Sequence, residues 1–317
     1  MENKKRKYVL AIILIILISA TLLFFNFSRA KIIYNEKSLG AQLDLEDINN
    51  DDKKNNIINQ DNLKEALTEY KLFNNIACHP SIQSDECLGV VLENNKIFFS
   101  KNIQKQKSIA SLTKLMTAVV AYENLDDSLI SISPRAEATF GDFGGFKAGE
   151  KYTRDDLIAG MLLSSSNDVA TALAEQIGYR RFVNLMNQKA KEIEMVHTFF
   201  ADPAGLYLSN RSNAEDLTKL VEYILNNHPQ IFEWIRNSQI TIQELKSHKG
   251  KIIFNENKLA KENNFLGGKT GFLLTPNKGG LISLFRYRDY TILIIVLDGN
   301  WYDRYQDTKN ILSCLPD

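Results

Sequence analysis

The stretch Ser108-Ile109-Ala110-Ser111-Leu112-Thr113-Lys114-Leu115-Met116-Thr117-Ala118 decides how the chain is read. Good helix formers follow Ser111, and apolar Leu115, Val119 and Tyr122 recur at helical spacing. This predicts a helix from near Ala110 to about Asn124. On such a helix Ser111 and Lys114 stand three apart and share a face. A serine hydroxyl becomes a competent nucleophile when a neighbouring base takes its proton. A lysine can be that base when desolvation and nearby cations lower its pKa. Alone, Ser-x-x-Lys is weak evidence, because a helix-capping serine before a solvated lysine has the same spelling.

Two later stretches add weight. Ser165-Ser166-Asn167 follows the apolar segment Leu157 to Leu163 and precedes the helical Asp168 to Ala174, so Ser-x-Asn falls in a short break between helices. Helix capping alone would also place Ser and Asn there. Lys269-Thr270-Gly271 follows Gly267-Gly268 and precedes an apolar, strand-like region, as a glycine-rich turn into an edge strand would. Each triplet is common by itself. The order Ser-x-x-Lys, Ser-x-Asn, Lys-Thr-Gly is the set found in penicillin-binding proteins and class A β-lactamases.

From Cys87 to about Leu315 the chain resembles the low-molecular-mass penicillin-binding proteins, the D-alanyl-D-alanine carboxypeptidases and endopeptidases. The resemblance rests on Ile109 to Glu123, Phe146-Lys147-Ala148-Gly149-Glu150, Leu162 to Glu175, Met186-Asn187, Asp202-Pro203-Ala204-Gly205-Leu206 and Gly268-Lys269-Thr270-Gly271-Phe272. It departs from the family pattern at Leu273, where Thr is usual, and at Gly279-Gly280, where an Ala-Gly pair is usual. Both departures bear on substrate positioning.

The resemblance implies an α+β fold: an antiparallel five-stranded sheet flanked by helices, with an inserted helical lobe. It also implies roles. Ser111 would be the acylated nucleophile, Lys114 its base, and Ser165 the relay that returns a proton to the departing amine. Asn167 would hold the substrate's amide carbonyl. Lys269 and Thr270 would receive the terminal carboxylate, and Gly271 would leave room for substrate along the strand. The backbone N–H groups of Ser111 and Phe272 would form the oxyanion hole. Convergence of Lys114 and Lys269 on one pocket would help keep Lys114 neutral. The implied substrate is the peptidoglycan stem peptide ending in D-Ala-D-Ala, with β-lactam antibiotics as covalent inhibitors. Neither a metal nor an organic cofactor is required.

Composition agrees with a globular enzyme. The 317 residues are 44% hydrophobic and 24% charged, and Lys+Arg and Asp+Glu both number 38, which gives no sign of nucleic-acid binding. His79, His197, His228 and His248 are scattered, against a metallopeptidase. Cys78 and Cys87 bracket a polar loop and are candidates for a local disulfide that would leave Cys314 over.

Lys4, Lys5, Arg6 and Lys7 precede an uncharged run from Tyr8 to Ser28 rich in Ile, Leu and Phe. That run is long enough to cross a bilayer, and its basic flank predicts a cytoplasmic N-terminus with the remainder exported. We expect residues 1–28 to be a single-pass cell-membrane anchor, or alternatively a signal peptide cleaved near Ala30. Residues 29–75 read as a polar stalk, with one helix started by Asn62 and Glu65, and residues 76–317 as the catalytic domain.

Within that domain, Leu88 to Leu92 and Lys96 to Ser100 predict a hairpin about Glu93-Asn94-Asn95. Helices are expected within Asp155 to Ile177 and Arg181 to Ile193. The stripe Leu217, Leu220, Val221, Ile224, Leu225 marks another over Ala214 to Asn227. After Pro229 strand character is expected, with Gln239 to Glu244 alternating. A hairpin follows from Leu281 to Arg286 and Tyr290 to Leu297, turning at Arg288-Asp289, and a last helix from Asp307 to Leu315. Strands at both ends with helices between predict one shared antiparallel sheet. No internal repeat is visible.

Three other functions compete. Glu222-Tyr223-Ile224-Leu225-Asn226 spells the class A β-lactamase string Glu-x-x-Leu-Asn, whose glutamate activates the deacylating water. Here it falls on the polar face of a regular helix rather than in an irregular loop, so an accidental match is expected. A wall-peptide-binding protein without catalysis would be expected to lack a nucleophile or base, whereas Ser111, Lys114, Ser165 and Lys269 are all present. Carboxypeptidase, the primary reading, and D,D-endopeptidase, which cleaves peptide cross-links, remain open between them.

Overall fold

The computed structural model describes residues 78–141, 143–274 and 276–316. The anchor or signal peptide, the stalk and its helix at Asn62 therefore lie outside the described residues. Among the described residues no helix is long and apolar enough to cross a membrane.

The first strands are β1 (Glu86–Val91) and β2 (Lys96–Lys101), the expected hairpin, with Asn95 supplying positive φ at the turn. Short β3 (Lys107–Ser108) leads into a 3₁₀ turn, Ala110–Leu112, and then α1 (Thr113–Asn124). The helical lobe follows, carrying β4 (Ile130–Ser131), α2 (Pro134–Glu137), β5 (Lys151–Tyr152), α3 (Arg154–Ser164), α4 (Asn167–Glu175) and α5 (Tyr179–Glu192). Next come β6 (Arg211–Ser212), α6 (Ala214–Asn227), α7 (Gln230–Ile235) and the hairpin β7 (Gln239–Glu244)–β8 (Lys249–Phe254). The chain returns to the main sheet with β9 (Phe265–Leu273), β10 (Lys278–Tyr287) and β11 (Tyr290–Gly299), and ends in α8 (Asp303–Leu312).

The main sheet has the order β2-β1-β11-β10-β9, with every neighbouring pair antiparallel. The two ends of the described chain thus build one sheet, an α+β arrangement as expected. Strand β11 explains why its sequence is apolar without alternation. Leu293, Ile295 and Leu297 face the core shared with α1 and the helical lobe, while Ile292, Ile294 and Val296 face a second core under α8. A strand covered on both faces reads as a continuous hydrophobic run.

Helix α6 has the bounds its apolar stripe predicts, and the Asn213 side chain caps it by accepting the Asp216 N–H at 2.9 Å. Glu222 lies in an unbroken turn of this helix, yet it is half-buried rather than fully on a solvated face, and burial pushes its carboxyl upward. Three other expectations are corrected. The segment after Pro229 is helical first: Ile231, Phe232 and Ile235 share one buried side that packs toward β9, and only then do β7 and β8 pair. The last helix starts four residues earlier than expected, at Asp303, because Asn300 Oδ1 accepts the N–H groups of Tyr302 and Asp303 and turns the chain into it. The disulfide joins Cys78 to Cys314, across 236 residues, and leaves Cys87 free. Cys87 is committed to the core between β1 and α8, whereas Cys78 and Cys314 lie just outside the first strand and the last helix. Closing so long a loop removes unfolded-state entropy and typically contributes about 2–4 kcal/mol.

Candidate active site

The nucleophile stands at a discontinuity. Ala110 adopts φ +49°, a conformation that costs a residue with a side chain, and Ser111 sits in the 3₁₀ turn before the α-helix begins at Thr113. The helix therefore starts three residues later than the sequence suggests, but Ser111 and Lys114 still meet, with Nζ 2.8 Å from Oγ. Behind them α1 is buried from Thr113 to Ala121. Burial of each large apolar side chain there, such as Leu115 or Val119, contributes about 1.5–3 kcal/mol to holding the pair in place.

Lys114 is 0% exposed and makes two further contacts, to Asn167 Oδ1 at 2.7 Å and to the Ala204 carbonyl at 2.6 Å. Burial drives its pKa down to about 7, opposed by the negative charges of Asp202 and Asp168. At neutral pH the amine is thus available in its neutral form, with two hydrogens and one lone pair. The Ala204 oxygen can only accept. Asn167 is oriented the same way, because its Nδ2 donates to the Phe140 carbonyl at 2.7 Å and leaves Oδ1 toward the lysine. Two obligate acceptors take the two hydrogens, so the lone pair is left facing Ser111 Oγ. That is the geometry of a general base.

The Ser-x-Asn triplet sits in the expected break. Ser165 terminates α3 in the left-handed region at φ 62°, and Ser166 caps α4 by accepting the Val169 N–H at 3.2 Å. The capping duty belongs to Ser166, which leaves the flanking Ser165 and Asn167 side chains for the cleft. Ser165 Oγ accepts from Lys269 Nζ at 3.0 Å.

Lys269, Thr270 and Gly271 lie inside β9, the edge strand, rather than in a turn before it. Lys269 is 1% exposed and also donates to its neighbour's carbonyl, Thr270 O, at 2.9 Å. Burial holds its pKa well below the usual lysine value, and the charges of Lys114 and Arg304 push the same way. The expected mutual repulsion is therefore expressed at Lys269, while burial is what depresses Lys114. Gly271 has a steric duty on the protein side: a Cβ there would lie 2.6 Å from the Ile109 carbonyl and 3.1 Å from Leu112 Cγ. Its absence lets the turn bearing Ser111 pack against the strand.

Sequence reasoning missed Arg304. It is buried in α8, donates from Nη1 to the Gly271 carbonyl at 2.6 Å, and lies over the rings of Phe272 and Trp301. It reaches the strand only because α8 packs on β10 and β11, a contact no local pattern announces. The Asp202 loop was visible as a matching stretch, but its duty toward Lys114 was not. Among the described residues no carboxylate forms an ion pair with Lys114, Lys269 or Arg304. A cleft with a nucleophile at one wall and basic side chains that no carboxylate pairs at the other suits a ligand that ends in a carboxylate.

A family model described as D-alanyl-D-alanine carboxypeptidase matches residues 74–299. The chain is 37% identical over 151 residues to the D-alanyl-D-alanine endopeptidase of Escherichia coli K12, which covers 46% of this chain and 48% of the relative. It is 33% identical over 217 residues to the D-alanyl-D-alanine endopeptidase of Haemophilus influenzae, covering 65% of this chain and 72% of that one. The chain spans about half the length of the first curated relatives it matches, 48% and 53%. In fold it is similar to the Streptomyces K15 DD-transpeptidase, with a TM-score of 0.69 at 23% identity, over 75% of this chain and 98% of that one.

Proposed function

The chain belongs to the D-alanyl-D-alanine carboxypeptidase family, and from that premise we propose that it is a serine D-Ala-D-Ala carboxypeptidase acting on peptidoglycan stem peptides through an acyl-enzyme on Ser111. The observation that carries this reading is the neutral-capable amine of Lys114, 2.8 Å from Ser111 Oγ with its two hydrogens engaged by Asn167 and Ala204. Lys114 takes the hydroxyl proton as Oγ bonds to the carbonyl carbon between the two D-alanines. The backbone N–H groups of Ser111 and Phe272 receive the oxyanion. The C–N bond then breaks, and the proton passes by way of Ser165 to the departing D-alanine amine. Water repeats the attack on the ester, with Lys114 again as base, and restores Ser111.

Asn167 holds the substrate's amide carbonyl once its contact with Lys114 gives way. Lys269 and Thr270 receive the terminal carboxylate, with Arg304 adding positive potential from behind Gly271. β-Lactams enter the same sequence, and opening of their ring leaves a covalent adduct on Ser111. The charge-free run of residues 8–28 holds the enzyme at the cell membrane, with its catalytic domain on the outer side.

A second reading, D,D-endopeptidase, is favoured by the names of the Escherichia coli and Haemophilus influenzae relatives. Both reactions share the acylation step and differ in the leaving amine, which is free D-alanine or the cross-linked side chain of a neighbouring stem. Digestion of purified monomeric and cross-linked dimeric muropeptides separates them. Release of D-alanine from monomers supports the carboxypeptidase; conversion of dimers to monomers with pentapeptides intact overturns it in favour of the endopeptidase.

A further inference from the structure

The loop that closes over Lys114 is wound on a single buried carboxylate. Asp202 is 1% exposed, and its Oδ1 accepts the N–H groups of Ala204, Gly205 and Leu206 at 2.8, 2.6 and 3.1 Å. Its Oδ2 accepts the Tyr207 N–H at 2.9 Å and the Asn210 side-chain amide. Asn210 turns its own oxygen back onto the N–H groups of Ala201 and Asp202. Five donors on one carboxylate leave the loop little freedom, and the result is two carbonyls aimed at α1. Pro203 O accepts from Thr117 Oγ1 at 2.6 Å, and Ala204 O accepts from Lys114 Nζ at 2.6 Å. At Gly205, φ +81°, a Cβ would fall 2.0 Å from the Ala110 carbonyl, so the same loop also lies against the residue preceding Ser111.

A loop cap that only stabilised the fold would have no reason to deliver a carbonyl to the reacting amine. We propose that Asp202 is the positioning residue of the acylation base, fixing the Ala204 carbonyl on Lys114 so that the amine lone pair faces Ser111 Oγ. This rests on the reading that Lys114 activates Ser111. The carboxylate has a second effect through its charge. Lys114 is faced by Asp202 from this loop, Asp168 from α4 and Lys269 from β9, with Arg304 and Glu256 acting on Lys269 beyond it. Burial alone would drive the lysine lower, and Asp202 is the larger of the two negative charges that hold it near neutrality. The residue at 202 thus sets both where the lone pair points and the pH at which it exists.

The test is the rate of acylation by penicillin, measured from pH 5 to pH 10 on the full chain for wild type, Asp202→Asn and Thr117→Val. In Asp202→Asn the amide cannot accept on both sides, so the rate should fall about 10- to 100-fold. The acid limb should also move down by about one pH unit, because a negative charge beside the ammonium form has been removed. A purely structural role would lower the rate without moving the limb. Thr117→Val keeps the charge but releases Pro203, so its rate should fall a few-fold at an unmoved limb. An Asp202→Asn limb that stays in place overturns the inference. If that variant does not fold, wild-type acylation by Thr117→Val overturns it. Wild-type protein that forms no Ser111 adduct overturns the acylation reading itself, whereas normal wild-type acylation with an unmoved variant limb overturns this inference alone.

Discussion

Two lysines are buried in this cleft, and their surroundings differ. Lys114 enters from the first turn of a helix and meets two acceptors, Asn167 Oδ1 and the Ala204 carbonyl, beside the Ser111 hydroxyl, with the carboxylates of Asp202 and Asp168 nearby. Lys269 enters from an edge strand, meets two acceptors, Ser165 Oγ and Thr270 O, and is faced by two more cations. Burial lowers both. At Lys114 negative charges resist the fall and leave the group near 7, where a base changes protonation in use. At Lys269 the neighbouring cations add to the fall, so the two lysines are lowered with opposite help from their surroundings. In the proposed mechanism the same side chain serves as a base in one place and as an anion receptor in the other, and the charges placed around it differ accordingly.

The largest test of this contrast is Lys114→Ala. Acylation should fall by roughly 10²–10⁴-fold, because a positioned base works as a unit with its nucleophile. In the wild type, acylation should rise with pH through about 7 as the amine loses its proton, and the variant should lose that limb. A variant that keeps the limb would assign it to another group.

Lys269→Ala should act differently. Reaction with carboxylate-terminated substrates should weaken, chiefly as a rise in KM, while a slow acylation persists and substrates with an amidated terminus are scarcely affected. Equal loss toward amidated and free-acid substrates would remove the distinction between the two lysines.

The sequence made the site far more legible than the connections that support it. Ser111, Lys114, Ser165, Asn167 and Lys269 could be picked out because the three triplets carry their chemistry in short spacings, the first two at element ends and the third inside β9. The β10–β11 hairpin and α6 were legible for the same local reason, one from a turn at Arg288-Asp289 and the other from an apolar stripe. What stayed hidden is long-range. Arg304 meets Gly271 across 33 residues, Asp202 meets the helix of Lys114 through a carbonyl, and Cys314 finds Cys78 rather than leaving it to Cys87. Helix α7 was missed because six residues after a proline give too short a period to separate helix from strand.

A smaller effect is expected at a buried acid away from the cleft. Glu86 is fully buried on β1, one of its oxygens accepts the Ala214 N–H, and burial raises its pKa from 4.5 to about 8. A raised carboxyl contributes stability that is complete below about pH 4.5 and is lost as the pH rises through about 8. Glu86→Gln should therefore melt close to wild type at pH 5 and above it at pH 9. Equal melting temperatures at pH 9 would contradict a neutral buried acid. The smallest effect is expected from Glu222→Gln: it removes a carboxyl whose charged form burial disfavours, so stability at neutral pH should be unchanged or slightly raised, with acyl-enzyme breakdown unchanged. A variant that acylates normally and then stalls would give Glu222 the role of a β-lactamase deacylation base.

The central claim is that Ser111 carries the acyl group. Protein trapped with penicillin should be digested with trypsin and the modified peptide sequenced by mass spectrometry, alongside Ser111→Ala treated in the same way. The account predicts one adduct, on the peptide containing Ser111, and none on the variant. An adduct on any other peptide, or one that survives in Ser111→Ala, would contradict it.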